Sequence, residues 1–108
     1  MREHVPGSLT ASRITTLQPG IVAEAVVNER TECLARWFSG GSWSDWRPVT
    51  SGVRDVSVAA LDDDGEPAAL VSVVVTVPME LGTARAFYVP GQRAFYRLTA
   101  HGVTPASL

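Results

Sequence analysis

The side chains best suited to recognition in this sequence are its eight aromatics, which fall into two clusters. Trp37, Phe38, Trp43 and Trp46 form the first; Phe87, Tyr88, Phe95 and Tyr96 form the second. Aromatic rings stack on sugars, anchor protein interfaces and fill cores, and all three uses are open to these residues. Trp43 stands in a Gly/Ser-rich stretch. Tyr88 and Phe95 share a predicted strand face with Arg93 and Arg97, where arginine can stack and form forked hydrogen bonds. The candidate contact residues are therefore Trp43, Trp46, Tyr88, Arg93, Phe95 and Arg97.

Other reactive groups offer less. Asp62, Asp63, Asp64 and Glu66 carry oxygen donors of the kind Ca²⁺ prefers, but neighbouring residues of a strand or tight turn point apart, so a solvated hairpin tip is the better reading. Cys33 sits in an apolar strand with no histidine nearby, which predicts a buried, inert thiol. His4 and His101 lie near opposite ends without partners at metal-ligand spacing. No nucleophile elbow, dinucleotide-binding glycine pattern or metalloprotease helix is present. A non-enzyme with no cofactor and no metal is expected.

Composition narrows the class. The chain has 108 residues, nine arginines, no lysine and eleven carboxylates, for a net charge of −2. Without lysine there is no Schiff-base chemistry and no phosphate-loop lysine. Scattered basic residues and near-neutral charge argue against a dedicated nucleic-acid binder. Met1 to Leu17 shows no continuous apolar stretch, so cytoplasmic synthesis without a signal peptide is expected. Ala68 to Met79 is too short to cross a bilayer as a helix, and no membrane insertion is expected.

These residues must be positioned by strands, because no stretch keeps a helical period and glycine or proline recurs at short intervals. Met1 to Ser12 reads as an N-terminal arm, residues 13–101 as a single β domain, and residues 102–108 as a C-terminal tail. Strands are expected at Ile14–Leu17, Glu32–Ser39 and Ile21–Val27, although Ala23, Glu24 and Ala25 in the last would also suit a helix, with an extended edge piece from Trp43 to Val49 bearing Pro48. Val53 to Val77 predicts a hairpin turning at Asp62–Pro67, its β-branched second strand central in a sheet. The repeat Arg85-Ala86-Phe87-Tyr88 and Arg93-Ala94-Phe95-Tyr96 flanks Val89-Pro90-Gly91-Gln92, which predicts a second hairpin with a type II turn at Pro90-Gly91. Phe87, Val89, Ala94, Tyr96 and Leu98 then share a core face; Tyr88, Arg93, Phe95 and Arg97 share the other. The expected fold is all-β: a small β-sandwich or barrel-like sheet of seven to eight antiparallel strands with extended terminal arms.

The run Trp37-Phe38-Ser39-Gly40-Gly41-Ser42-Trp43-Ser44-Asp45-Trp46 resembles a blade of the tryptophan-rich propeller lectins, and the likeness extends over residues 34–77. It implies sugar binding, and since Trp-Ser-x-Trp occurs once, it implies a ring built from several copies. Gln92-Arg93-Ala94-Phe95-Tyr96-Arg97-Leu98 resembles the last strand of bacterial immunoglobulin-like or fibronectin-like β-sandwiches, a likeness of packing alone. Two functions fit these features. One is a structural or assembly protein, a homo-oligomer or part of a larger assembly such as a virion or another particle. The other is a carbohydrate-binding module that presents its tryptophans to a glycan.

Overall fold

The computed structural model describes residues 6–63, 65–81 and 85–107, and the side chains among them except at 62, 63 and 76–91. Among these residues the fold is all-β, with no helix and nine strands rather than seven or eight. In order they are β1 (Leu9–Gln18), β2 (Ile21–Asn28), β3 (Cys33–Ser39), β4 (Ser42–Trp43), β5 (Arg47–Thr50), β6 (Val53–Asp63), β7 (Glu66–Leu81), β8 (Arg85–Thr99) and β9 (Gly102–Ala106). They form two antiparallel sheets. Sheet A runs β1-β2-β3-β4, with β5 also paired to β3, and sheet B runs β6-β7-β8-β9.

The sheets face each other across a core that strand alternation predicts. From sheet A, Ala23, Ala25, Val27, Cys33, Ala35 and Trp37 point inward; from sheet B, Val56, Ala69, Val71, Val73 and Leu98 meet them. Ala94, Tyr96 and Val103 complete the layer, so the expected core parity of β8 holds where its side chains are described. The inward residues of β2 and β3 are mostly alanines around one tryptophan, which keeps the sandwich thin: the molecule measures 55 × 34 × 20 Å. Each buried Val or Leu contributes about 1.5–3 kcal/mol, and Val71, Val73 and Leu98 are fully buried.

Local chemistry closes the sheets. Asn28, 1 % exposed, organises the β2–β3 turn. Its Oδ1 accepts from the backbone N–H of Arg30 and Glu32, and its Nδ2 donates to Glu32 Oε1. These bonds hold Thr31 at φ 61°, a left-handed conformation rare for a β-branched residue. One side of the sandwich is sealed where β1 and β2 pack on β6. On the other, the Arg47 guanidinium donates to the carbonyls of Thr99 and Ala100.

Several expectations change. Leu9 to Ser12 pair with β2, and Gly102 to Ala106 pair with β8, so both stretches are sheet strands rather than arm and tail. The Trp43–Val49 piece divides into β4 and β5, and β5 takes the edge position that Pro48 requires. The Val53–Val77 hairpin forms with β7 central, pairing as far as Asp63 and Glu66, which leaves only 64 and 65 between the strands.

The second hairpin is the main correction. Pro90 and Gly91 make no turn: β8 runs through them as one strand from Arg85 to Thr99. Val75 faces Gln92 and Val77 faces Val89, so Pro90 and Gly91 form a bulge opposite Thr76. Tyr88 pairs with Pro78 and Arg93 with Val74, not with each other. The partner of the Arg-Ala-Phe-Tyr repeat is the long valine strand, whose ladder outcompetes the local turn. A Pro-Gly pair fits a bulge as well as a turn, because glycine accepts the irregular backbone and a bulge leaves one residue unpaired.

Candidate functional site

The outward face of sheet A carries the most elaborate side-chain arrangement described in the molecule. In an antiparallel ladder, paired residues share a face. With Ala35 and Trp37 turned inward, Leu34, Arg36 and Phe38 of β3 turn to the other face, level with Val26, Glu24 and Val22 of β2. Leu34 and Val26 are themselves buried, so the Glu24–Arg36 and Val22–Phe38 rows are the ones that reach the surface. On β1, Ser12, Ile14 and Thr16 continue the same three rows.

The middle row places Ile14 beside Glu24 and Glu24 beside Arg36. Arg36 Nε donates to Glu24 Oε1 at 2.7 Å, the short distance of a charge-assisted bond. The Arg36 guanidinium carbon also lies 4.0 Å from the Trp43 ring centroid and 4.4 Å from that of Trp46. One face of each indole therefore rests on the guanidinium, an arrangement in which cation–π attraction contributes about 0.5–2 kcal/mol per ring. Phe38 meets Trp43 edge-on, with centroids 5.2 Å apart and the rings inclined by 61°.

Ser44 explains how two tryptophans three residues apart reach one arginine. Gly40 and Gly41, both at positive φ, turn the chain back so that Trp43 pairs with Phe38. The backbone N–H of Ser44 donates to the Trp37 carbonyl at 2.7 Å, while Trp37 N–H donates to Ser44 Oγ at 3.0 Å. The serine thus satisfies both backbone groups of Trp37 where the sheet edge lacks a continuous strand. Its hydroxyl in turn donates to the Asp45 carbonyl at 2.9 Å. Trp-Ser-Asp-Trp here is an edge plug that carries an indole on each side.

The face around this stack is apolar. Ile14 is 61 % exposed, Val22, Phe38, Trp43 and Trp46 are half-buried, and the two charges at its centre neutralise each other. The size pattern is inverted relative to an ordinary sandwich, with alanines inside and large side chains outside.

The second candidate cluster lies on the opposite side of the molecule. Arg93, Phe95 and Arg97 point outward from sheet B, as their parity predicts; Arg93 is exposed, and Phe95 and Arg97 are half-buried. An open groove of about 440 Å³ runs beside them, lined by Arg93, Phe95, Tyr96, Pro105, Ala106 and Ser107. The side chain of Tyr88 lies outside the described residues, as do those of Asp62, Asp63 and Asp64. The six candidates thus do not converge: Trp43 and Trp46 belong to one face, Arg93, Phe95 and Arg97 to the other.

Ile14, Glu24 and Arg36 were not among the sequence candidates. Glu24 and Arg36 are the lone charges of two consecutive apolar strands, and a tight turn brings them into register; that pattern was readable. Cys33 is 1 % exposed, and burial pushes its thiol up to about 12, so it is protonated at neutral pH. His101 is exposed, its backbone N–H held by Thr99 Oγ1. Among the described residues no three of His, Cys, Asp and Glu gather where they could hold a metal ion, and no helix is long and apolar enough to cross a membrane. Compared with protein-family models, curated proteins and solved structures, the chain finds no match.

Proposed function

We propose that this chain is a non-catalytic assembly protein, a structural subunit of a homo-oligomer or larger particle such as a virion, that contacts its neighbours through the outward face of sheet A. The observation that carries this reading is the apolar, charge-neutralised surface formed by Ile14, Val22, Phe38, Trp43 and Trp46 around the Glu24–Arg36 pair. Exposed apolar patches are kept small on monomers, and interface centres are enriched in aromatics and arginine. The stack also holds its side chains in place before contact, which lowers the entropy lost on binding. Because the guanidinium takes one face of each indole, the geometry favours packing against a protein surface over stacking on a sugar ring.

Acrylamide quenching of tryptophan fluorescence tests the reading. Trp37 is buried and gives a constant background. Quenching of Trp43 and Trp46 should fall as the protein is concentrated and this face is covered. Equal quenching from dilute to concentrated solution would contradict it.

A further inference from the structure

Strands β7 and β8 continue as a two-stranded ribbon past the rest of sheet B. The pairing of β6 with β7 starts at Val53 and Val75, and β9 reaches only Phe95 of β8, while β7 and β8 stay paired out to Leu81 and Arg85. The ribbon therefore comprises residues 77–81 and 85–89, about 17 Å of two-stranded sheet at 3.4 Å per residue. A two-stranded ribbon alone is marginal in water. This one is composed largely of Val77, Met79, Leu81, Phe87, Tyr88 and Val89.

The other sheet edges are protected. Pro48 lies in β5 and Pro105 in β9, β4 is two residues long, and β1 and β6 are both bulged and pack on each other. Such features discourage edge-to-edge pairing. On the ribbon, Pro78 pairs with Tyr88. A proline keeps its place in a ladder where its missing donor would point away from the partner strand. Pro78 thus blunts the outer edge of β7, and by the same alternation the backbone groups of Ala86 and Tyr88 point away from β7 on the free side of β8. Among the described residues, the edge of β8 from Arg85 to Val89 runs five residues with neither a proline, a bulge nor a covering strand, and the uncovered stretch from Gln92 to Ala94 is shorter, confined between the bulge and β9.

Resting on the assembly reading, we infer that this edge pairs with the same edge of a second copy, antiparallel about a two-fold axis at Phe87. Ala86 of each copy then lies opposite Tyr88 of the other, and the outward N–H and C=O groups of both residues are satisfied. The two ribbons become one four-stranded sheet. Charge selects this orientation: antiparallel pairing sets each Arg85 opposite a Val89, with the two arginine positions about 14 Å apart along the strand, whereas a parallel pair would set arginine beside arginine. The bulge at Pro90–Gly91 ends the pairing and fixes its length.

Hydrogen exchange on the full chain, together with light scattering, tests the pairing. The amides of Ala86 and Tyr88 should gain about tenfold or more protection between dilute and concentrated protein, and Ala86→Pro should abolish this contact and lower the particle mass at least twofold. Ala86 pairs with β7 beyond the reach of β6 and β9, so the thermal unfolding of Ala86→Pro should match that of the parent. Free exchange at both amides at all concentrations, or an unchanged mass for a folded Ala86→Pro, would overturn the pairing. If Ile14→Asp still dissociates the assembly in that case, sheet A remains the contact and only the ribbon pairing fails.

Discussion

Replacing Arg36 with methionine keeps an unbranched, polarizable chain against the indoles but removes the guanidinium. Two contributions are lost. The cation–π contacts at 4.0 and 4.4 Å together supply about 1–4 kcal/mol in a partly desolvated setting. The 2.7 Å bond to Glu24 is also lost, leaving a carboxylate that is only 15 % exposed without its partner. A stranded polar group of this kind costs about 1–3 kcal/mol. Methionine packing on the rings offsets part of this. The net loss is about 2–4 kcal/mol, large against the ~5–15 kcal/mol total typical of a domain. Glu24→Gln, which can still accept a hydrogen bond, should cost about 1 kcal/mol. The double replacement Glu24→Leu with Arg36→Met should cost less than Arg36→Met alone, because no charge is then left unpaired. Urea unfolding followed by far-ultraviolet circular dichroism gives all of these values without relying on the altered indoles. A coupling energy below about 0.5 kcal/mol between positions 24 and 36 would refute the reasoning.

Two further outcomes follow from the same geometry. Ser44→Ala removes the acceptor of the Trp37 N–H and should lower stability by about 1–2 kcal/mol, read as a fall in Tm; an unchanged Tm would mean that the serine does not plug the edge. Cys33 links stability to alkaline pH. Its thiol ionises at 9.0 when unfolded and at about 12 when folded, so the folded form retains the proton that the unfolded form loses. Its contribution is full below about pH 9 and is lost on rising through the interval to about 12, with a slope approaching ~1.4 kcal/mol per pH unit. Cys33→Ala should flatten the stability profile within that interval, and an identical slope in the variant would count against burial of the thiol.

Much of the sandwich was legible because its strands alternate cleanly. The opposed parities of Cys33, Ala35, Trp37 and of Leu34, Arg36, Phe38 separate the two faces of β3 by residue type alone. The β-branched run from Val71 to Val77 asks for a central strand, and β7 is one. The Pro90-Gly91 pair misled because turn chemistry is a local signal, whereas β8 is held by pairing along nearly the whole length of β7. Leu9–Ser12 and Gly102–Ala106 were unreadable for a related reason: they are short edge segments of small residues whose extended form is imposed by β2 and β8. At the site, aromatic clustering pointed to Trp43 and Trp46. It could not show that Arg93, Phe95 and Arg97 stand on the far side, since sheet membership is decided by topology. Glu24 and Arg36 become partners only once the Asn28-centred turn sets the register.

Sedimentation velocity of the full chain beside Ile14→Asp bears most directly on sheet A as the contact surface. Ile14 is 61 % exposed on the edge strand β1 and contributes nothing to the core, so the aspartate leaves the fold intact while placing a negative charge beside Glu24 at the margin of the apolar face. The parent should sediment as a multimer that dissociates on dilution. Ile14→Asp should sediment as smaller species at the same concentration, with its unfolding transition unchanged. A parent that remains monomeric at high concentration, or an Ile14→Asp variant that sediments identically to it, would contradict assembly through this face.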